Sequence, residues 1–233
     1  MIRVFPRATL GGFKNDWLDS RFHFSFADYH DENRMGFGPL RVINDDLIKA
    51  GSGFDLHPHR NMEIITYVRS GAVLHRDTLG HEGKTAAGDV QVMSAGRGIA
   101  HAEFADPDHD TTLFQIWIEP HTRGLQPRWA QAEFPKAPVR DALKLLVTGR
   151  ADEMQDDVLS IHQDAALYGG HLVQGTTLTH HVRGDHGAYV VISAGDVMIN
   201  DTPLSMGDGA EITGISALHI RSLTDAELLV IEV

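Results

Sequence analysis

The chain has no cysteine, which excludes disulfide frameworks, zinc ribbons and thiol redox chemistry. No apolar run approaches the roughly 18 residues of a membrane span, and residues Met1 to Arg7 lack the charged-then-apolar pattern of a secretory leader. A basic stripe is missing too. The 20 Lys and Arg face 32 Asp and Glu, a formal charge of −12, which argues against binding a nucleic-acid backbone. Helical periodicity is weak throughout, and only 130–134 and 164–168 read as short helical turns. These absences leave a folded chain with an acidic surface. It is expected in the cytoplasm as a monomer, with neither nucleic acid nor membrane as a direct partner.

What the chain does contain is short runs rich in Val, Ile, Thr and Tyr, punctuated by Gly, Asp and Asn every 8 to 15 residues. Runs at 63–69, 72–75, 90–93, 113–118, 189–192 and 228–233 have the rhythm of an all-β sandwich or barrel. An internal repeat organises them. From Gly71 and from Gly195 the same offsets hold: Val at +2 (Val73, Val197) and Asp at +6 (Asp77, Asp201). Each glycine suits a hairpin turn with positive φ. Two tandem β-barrel domains are expected, an N-terminal one at 1–128 and a C-terminal one at 140–233. The linker is placed at 129–139, in a stretch that carries Pro127, Pro135 and Pro138.

Fifteen histidines stand out, and two matched pairs carry the chemistry: His57-Pro58-His59 and His101-Ala102-Glu103. On a strand, residues i and i+2 leave by one face with α-carbons about 6.6 Å apart. Two such strands side by side offer three imidazoles and a carboxylate to one ion. That donor set suits Mn, Fe, Co, Ni, Cu or Zn. His180 and His181, as strand neighbours, face opposite ways. His75, His81, His109, His121, His162, His171 and His186 are expected at the surface or in ordinary hydrogen bonds. Trp17, Phe22, Phe24 and Phe26 are read as packing residues, with Met35, Phe37 and Met62 near the mouth of the site.

The repeat transfers these pairs to the second half. The offsets place His181 and Arg183 where the first half has His57 and His59, and His219 and Arg221 where it has His101 and Glu103. Two guanidinium groups would repel a cation. The C-terminal half is therefore expected to keep the architecture with a degenerate site.

The stretch from Gly51 through His57 and His59 to Glu63 matches the first motif of the cupin superfamily. Longer words narrow it: Met35 to Asp46, His57 to Tyr67, Gly88 to Glu103 and Phe114 to Ile118. Together they resemble the pirin family, in particular its bacterial branch with quercetin 2,3-dioxygenase activity. The resemblance implies a bicupin with metal only in the N-terminal domain, held by His57, His59, His101 and Glu103. The general cupin pattern would nominate Glu63 instead, but strand parity puts Glu103 on the face of His101. One divalent transition metal per chain is implied, with iron first among the candidates. The implied reaction cleaves a flavonol or related phenol with O2 and releases CO, with Glu103 as the ligand able to act as a base. The rival reading is a metal-binding regulatory protein that works through protein partners.

Overall fold

The computed structural model describes all 233 residues, with one 3-10 turn at Arg7–Thr9 and no α-helix. The strands of the first half are β1 (Ile2–Phe5), β2 (Gly11–Lys14), β3 (Leu18–Phe22), β4 (Leu40–Ile48), β5 (Gly53–His59), β6 (Glu63–Ser70), β7 (Ala72–Asp77), β8 (Glu82–Ala86), β9 (Val90–Ser94), β10 (Ile99–Ala105), β11 (Thr111–Ile118) and β12 (Arg128–Ala132). Those of the second half are β13 (Lys144–Thr148), β14 (Leu159–Ser160), β15 (Ala166–Leu172), β16 (Thr177–His181), β17 (Ala188–Ala194), β18 (Asp196–Ile199), β19 (Thr202–Ser205), β20 (Gly209–Ile212), β21 (Ala217–Ser222) and β22 (Ala226–Glu232).

The halves repeat one topology. In the first, a seven-stranded sheet ordered β12-β9-β6-β11-β4-β3-β2 is matched with a four-stranded sheet ordered β5-β10-β7-β8. In the second, the orders are β1-β20-β17-β22-β15-β13-β14 and β16-β21-β18-β19. The hairpin glycines behave as the repeat requires: Gly71 has φ +72 and Gly195 has φ +70. A Cβ on Gly71 would also stand 2.6 Å from Thr111 Oγ1, so the turn tolerates no side chain.

Two features depart from the sequence reading. Residues 130–134 and 164–168 are not helical turns; they contribute to β12 and β15. The stretch expected as a linker, 129–139, opens as strand: β12 pairs residue by residue with β9, from Arg128 opposite Ser94 to Ala132 opposite Val90. Conversely, β1 leaves the first half and pairs with β20, from Ile2 opposite Ile212 to Phe5 opposite Gly209. Thus β12 closes the first half's own large sheet, while β1 crosses over to complete that of the second.

The central strands of the large sheets are buried on both faces because each faces two apolar layers. In β17 and β22, Val190, Ile192, Leu228 and Val230 point into the second barrel, where 17 buried apolar residues pack. Tyr189, Val191, Leu229 and Ile231 point the other way, into a cluster of 22 buried residues shared with Ile43, Ile65, Phe114 and Ile116 of the first half. The largest core is therefore the layer between the two seven-stranded sheets. By contrast, the first barrel holds only clusters of six and four apolar residues inside, near its two ends.

Register explains why the second barrel is filled. Opposite β18, Ser222 pairs with Val197 and Ile220 with Ile199, just as Ala105 pairs with Val73 and Glu103 with His75 in the first half. Hence Leu218 and Ile220 take the places of His101 and Glu103. On β16, His180 lies opposite Leu218 as His57 lies opposite His101. His180 and Val182 therefore replace His57 and His59. This corrects the offset-based assignment: His181, Arg183, His219 and Arg221 all lie one residue off, on the outward face, and no arginine guards the second barrel. A one-residue slip exchanges the faces of a strand. Hydrocarbon, rather than positive charge, occupies three of the four equivalent positions, with His180 at the fourth.

His180 donates no ligand either, since its Nε2 lies 2.8 Å from Glu232 Oε1. Arg150 Nη1 donates to Glu232 Oε2 at 2.8 Å. Burial opposes the charge on Glu232, but these hydrogen bonds and the Arg150 charge outweigh it and hold its pKa below the usual carboxylate value. Replacing Arg150 by Leu would leave a fully buried carboxylate with only His180 and, at 3.4 Å, the Arg183 backbone amide as partners. The expected loss of stability is about 3 kcal/mol, read from urea unfolding; a loss under about 1 kcal/mol would show that the pair is dispensable.

Candidate metal centre

Strands β5 and β10 are antiparallel neighbours with His57 directly opposite His101 and His59 opposite Ile99. The tight turn Gly96-Arg97-Gly98, with φ of +47 and +141 at its glycines, leads into β10 and delivers His101. The ring centroids of His57, His59 and His101 are 4.6 to 5.0 Å apart. One ring nitrogen from each lies within 4.8 Å of the others. Glu103 lies further along β10, past an irregularity in the β5 pairing. It lines the same cavity, and its carboxylate groups with His101 and His75 at the same spacing.

Burial keeps two of the imidazoles, His59 and His101, neutral. His59 is lowered to about 4, first by desolvation and then by the nearby His57. His101 is lowered to about 2, chiefly by desolvation with the neighbouring imidazoles adding to it. Neutral rings hold a free lone pair, which a metal requires. Their orientation is fixed by what the other nitrogen meets. His57 Nδ1 lies 2.7 Å from the Asp55 carbonyl oxygen. His101 Nδ1 lies 3.5 Å from His75 Nδ1, and His101 Nε2 is buried with no protein partner. A buried polar atom without a partner marks a place where something else is meant to bind.

His75 was expected to be an ordinary surface or hydrogen-bonded residue; it is buried behind the site. Its Nε2 lies 3.2 Å from Asp77 Oδ2, and its ring stacks on Trp129 at 4.8 Å with an 11° tilt. Trp129 comes from β12, so a strand in the stretch expected as linker packs against the back of the site. The signal available in the sequence was parity: His75 lies two residues before Asp77 in the same strand, with its face set by Val73.

Glu103 is enclosed. Thr66 Oγ1 donates to its Oε1 at 3.3 Å and Gln91 also donates there, while Gln115 Nε2 donates to Oε2 at 2.5 Å. Burial raises the carboxyl to about 7, with these donors pulling the other way. Glu63 does not join it. It is buried on β6 as the acceptor of Ser94 Oγ at 2.6 Å and is absent from the cavity wall.

The cavity beside the histidines has a volume of about 330 Å³ and a mostly apolar wall. Phe13, Phe22, Phe26, Phe54 and Trp117 supply aromatic surface, and Asn44, Asp46 and Gln115 interrupt it. Phe22 and Phe26, read from sequence as packing, line this space, whereas Phe24 is in the core between the sheets. Met35, Phe37 and Met62 lie elsewhere: Phe37 packs against Tyr189 at a centroid distance of 6.3 Å, Met62 against the small cluster of Ile64 and Met93, and Met35 is exposed.

Two barrels of this topology, one with inward histidines and a carboxylate at the paired strands, define a two-domain cupin with a site for a divalent metal. The chain belongs to the pirin family. The pirin family model matches residues 4–118, and a quercetinase C-terminal cupin domain matches residues 148–233. A pirin-like protein of Caulobacter vibrioides is 46% identical over 232 residues, covering 100% of this chain and 99% of the relative. The quercetin 2,3-dioxygenase of Escherichia coli K12 is 39% identical over 223 residues, covering 95% and 94%. The crystal structure of YhhW from Escherichia coli in complex with nickel(II) superposes with a TM-score of 0.92 at 38% identity, covering 100% of this chain and 99% of that one.

Neutral imidazoles at the site predict stabilisation by metal. Nickel(II) at about 100 times its dissociation constant should add roughly 2.7 kcal/mol to the unfolding free energy. The gain should appear as a rise in Tm that a chelator reverses. An unchanged melting curve across Ni, Fe, Mn, Co, Cu and Zn would mean that no ion binds.

Proposed function

We propose that the chain is a metal-dependent dioxygenase that cleaves the ring of a flavonol with O2 and releases CO. His57, His59, His101 and Glu103 hold one divalent ion in this reading, and iron is the expected one. The observation that carries it is the buried, unpartnered His101 Nε2 at the convergence of three imidazoles, beside an aromatic cavity sized for a small flat molecule. The donor set fits the ion: three imidazole nitrogens and a carboxylate oxygen suit first-row divalent metals.

Bound there, the ion would supply Lewis acidity toward an enolic hydroxyl. The protein supplies the rest. The aromatic wall takes the flat faces of the substrate and excludes bulk water, which strengthens every charge interaction inside. Glu103 is the one group of the four that can hold a proton taken from the substrate hydroxyl. Burial raises its carboxyl, against the hydrogen bonds from Thr66, Gln115 and Gln91, so its enclosure favours taking up a proton. Donors on both of its oxygens keep it in position whichever state it is in. The names of the relatives support the reaction class, and the nickel complex of YhhW supports a divalent-metal site.

Adding quercetin anaerobically to metal-loaded protein should shift the flavonol absorbance, and admitting O2 should bleach it with release of CO. Turnover without oxygen uptake would instead indicate an isomerase or hydrolase. Retention of full turnover by Glu103→Gln would remove the base from the scheme.

Ionisation of Glu103 adds a second test. Its folded pKa is raised, so at pH 6 the carboxyl is mostly protonated and must lose that proton to bind an ion. His59 and His101, already neutral, release none. Calorimetry in buffers of different ionisation enthalpy should find about one proton fewer released per metal by Glu103→Gln than by the wild type at pH 6, the difference falling towards zero at pH 8. Equal release by the two proteins at pH 6 would show that Glu103 is not a ligand.

A further inference from the structure

The polar residues of the first barrel form one rung across its large sheet. Asn44 on β4 lies directly opposite Gln115 on β11, Gln115 opposite Thr66 on β6, and Thr66 opposite Gln91 on β9. Side chains at directly opposed positions leave by the same face, with β-carbons about 5 Å apart. The rungs above and below are different: Trp117, Ile64 and Met93 form one, and Leu113 with Val68 the other, which turns polar only at its β4–β3 end, at Asp46 and Ser20. One continuous polar band thus crosses the sheet, with Asp46 and Ser20 beside its β4 end.

Three of its four members have an evident task. Gln91, Thr66 and Gln115 all donate to Glu103. Asn44 does not, and its amide oxygen is buried with no partner; the residue is 5% exposed. Gln115 Oε1 is likewise buried and unpartnered. Because the Gln115 nitrogen is committed to Glu103, that oxygen cannot be exchanged with it by an amide flip. Both residues line the cavity that holds the histidines. Leaving buried acceptors unsatisfied is costly, so this end of the band is built to meet a donor.

The neighbouring acid fits the same picture. Asp46, two residues along β4, lines the cavity and takes a hydrogen bond from Ser20. Burial raises its carboxyl to about 7. It can accept or donate to a hydroxyl without placing a fixed charge in an aromatic pocket.

We propose that Asn44 and the Gln115 carbonyl form a subsite for a hydroxyl donor on the substrate, separate from the oxygen presented to the histidines. The chain would then select aromatic rings that carry a second free hydroxyl over rings that carry only the reacting one. This rests on the flavonol reading above and narrows it to polyhydroxylated substrates. Asn44 is a positioning and specificity residue in this scheme, since it touches substrate away from the reacting bond.

The test uses nickel-loaded full-length protein, titrated anaerobically and followed by flavonol absorbance. The probes are quercetin, which has several ring hydroxyls, and 3-hydroxyflavone, which has only one. The wild type should prefer quercetin by about tenfold or more, the equivalent of ~1.4 kcal/mol. Asn44→Leu, and Asn44→Ala in case leucine impairs folding, should bring the two dissociation constants within about twofold while nickel content stays unchanged. If both flavonols bind and the variants preserve the wild-type ratio, or if the wild type shows no preference, the subsite is refuted and the flavonol reading stands. If neither flavonol binds to the wild type, the flavonol reading itself fails and takes the subsite with it.

Discussion

A carboxyl group shut inside a β-barrel has to be met by hydrogen-bond donors, and the first barrel is arranged around that demand. Glu103 projects from the small sheet and is met by Thr66, Gln91 and Gln115 from three adjacent strands of the large one. Those positions are where a cupin-sized barrel would otherwise place Leu, Ile or Val. The polar band displaces hydrocarbon from the middle of the interior, leaves apolar clusters only at the ends, and opens the cavity into which the histidines look. Site and cavity share one origin.

The cost of that arrangement falls on stability, and the rest of the molecule offsets it. The second barrel, of the same topology, has its equivalent positions filled by Val182, Leu218 and Ile220, and a continuous apolar core packs around them. The interface between the large sheets contributes the largest cluster of all. Hydrophobic burial therefore lies mainly outside the barrel that carries the chemistry. A hydrogen bond from Tyr67 of the first half to the buried Glu227 of the second ties the two across that layer.

Much of this was legible in the sequence, for reasons that can be named. Runs such as Ile64-Ile65-Thr66-Tyr67-Val68 are β-branched and aromatic, and strands follow from them. The convergence of His57, His59 and His101 follows from parity alone. What was not legible depended on partners far away in the chain. The short run Arg128-Trp-Ala-Gln-Ala132 has weak β character, and only its pairing with β9 makes it a strand. β1 pairs with β20 across some two hundred residues, with no local mark. The second barrel was misread by one position because it carries one more residue than the first between its inner strand and the hairpin glycine: Val182 lies 13 residues before Gly195, whereas His59 lies 12 before Gly71. In a structure of period two, that single residue exchanges inside for outside. His75 was overlooked because its importance lies in the third dimension, between His101 and the ring of Trp129.

The crossing of β1 to the second half's large sheet has a consequence for how the chain can be divided. Cutting between the halves would leave one fragment with β1 and nothing to dock it on, and the other with the edge of β20 bare, its backbone amides and carbonyls free to recruit a foreign strand. The pair is thus a clasp rather than two beads on a string. A gene-fusion or recombination event that swapped one barrel for a relative's would have to carry the neighbour's edge strand along with it.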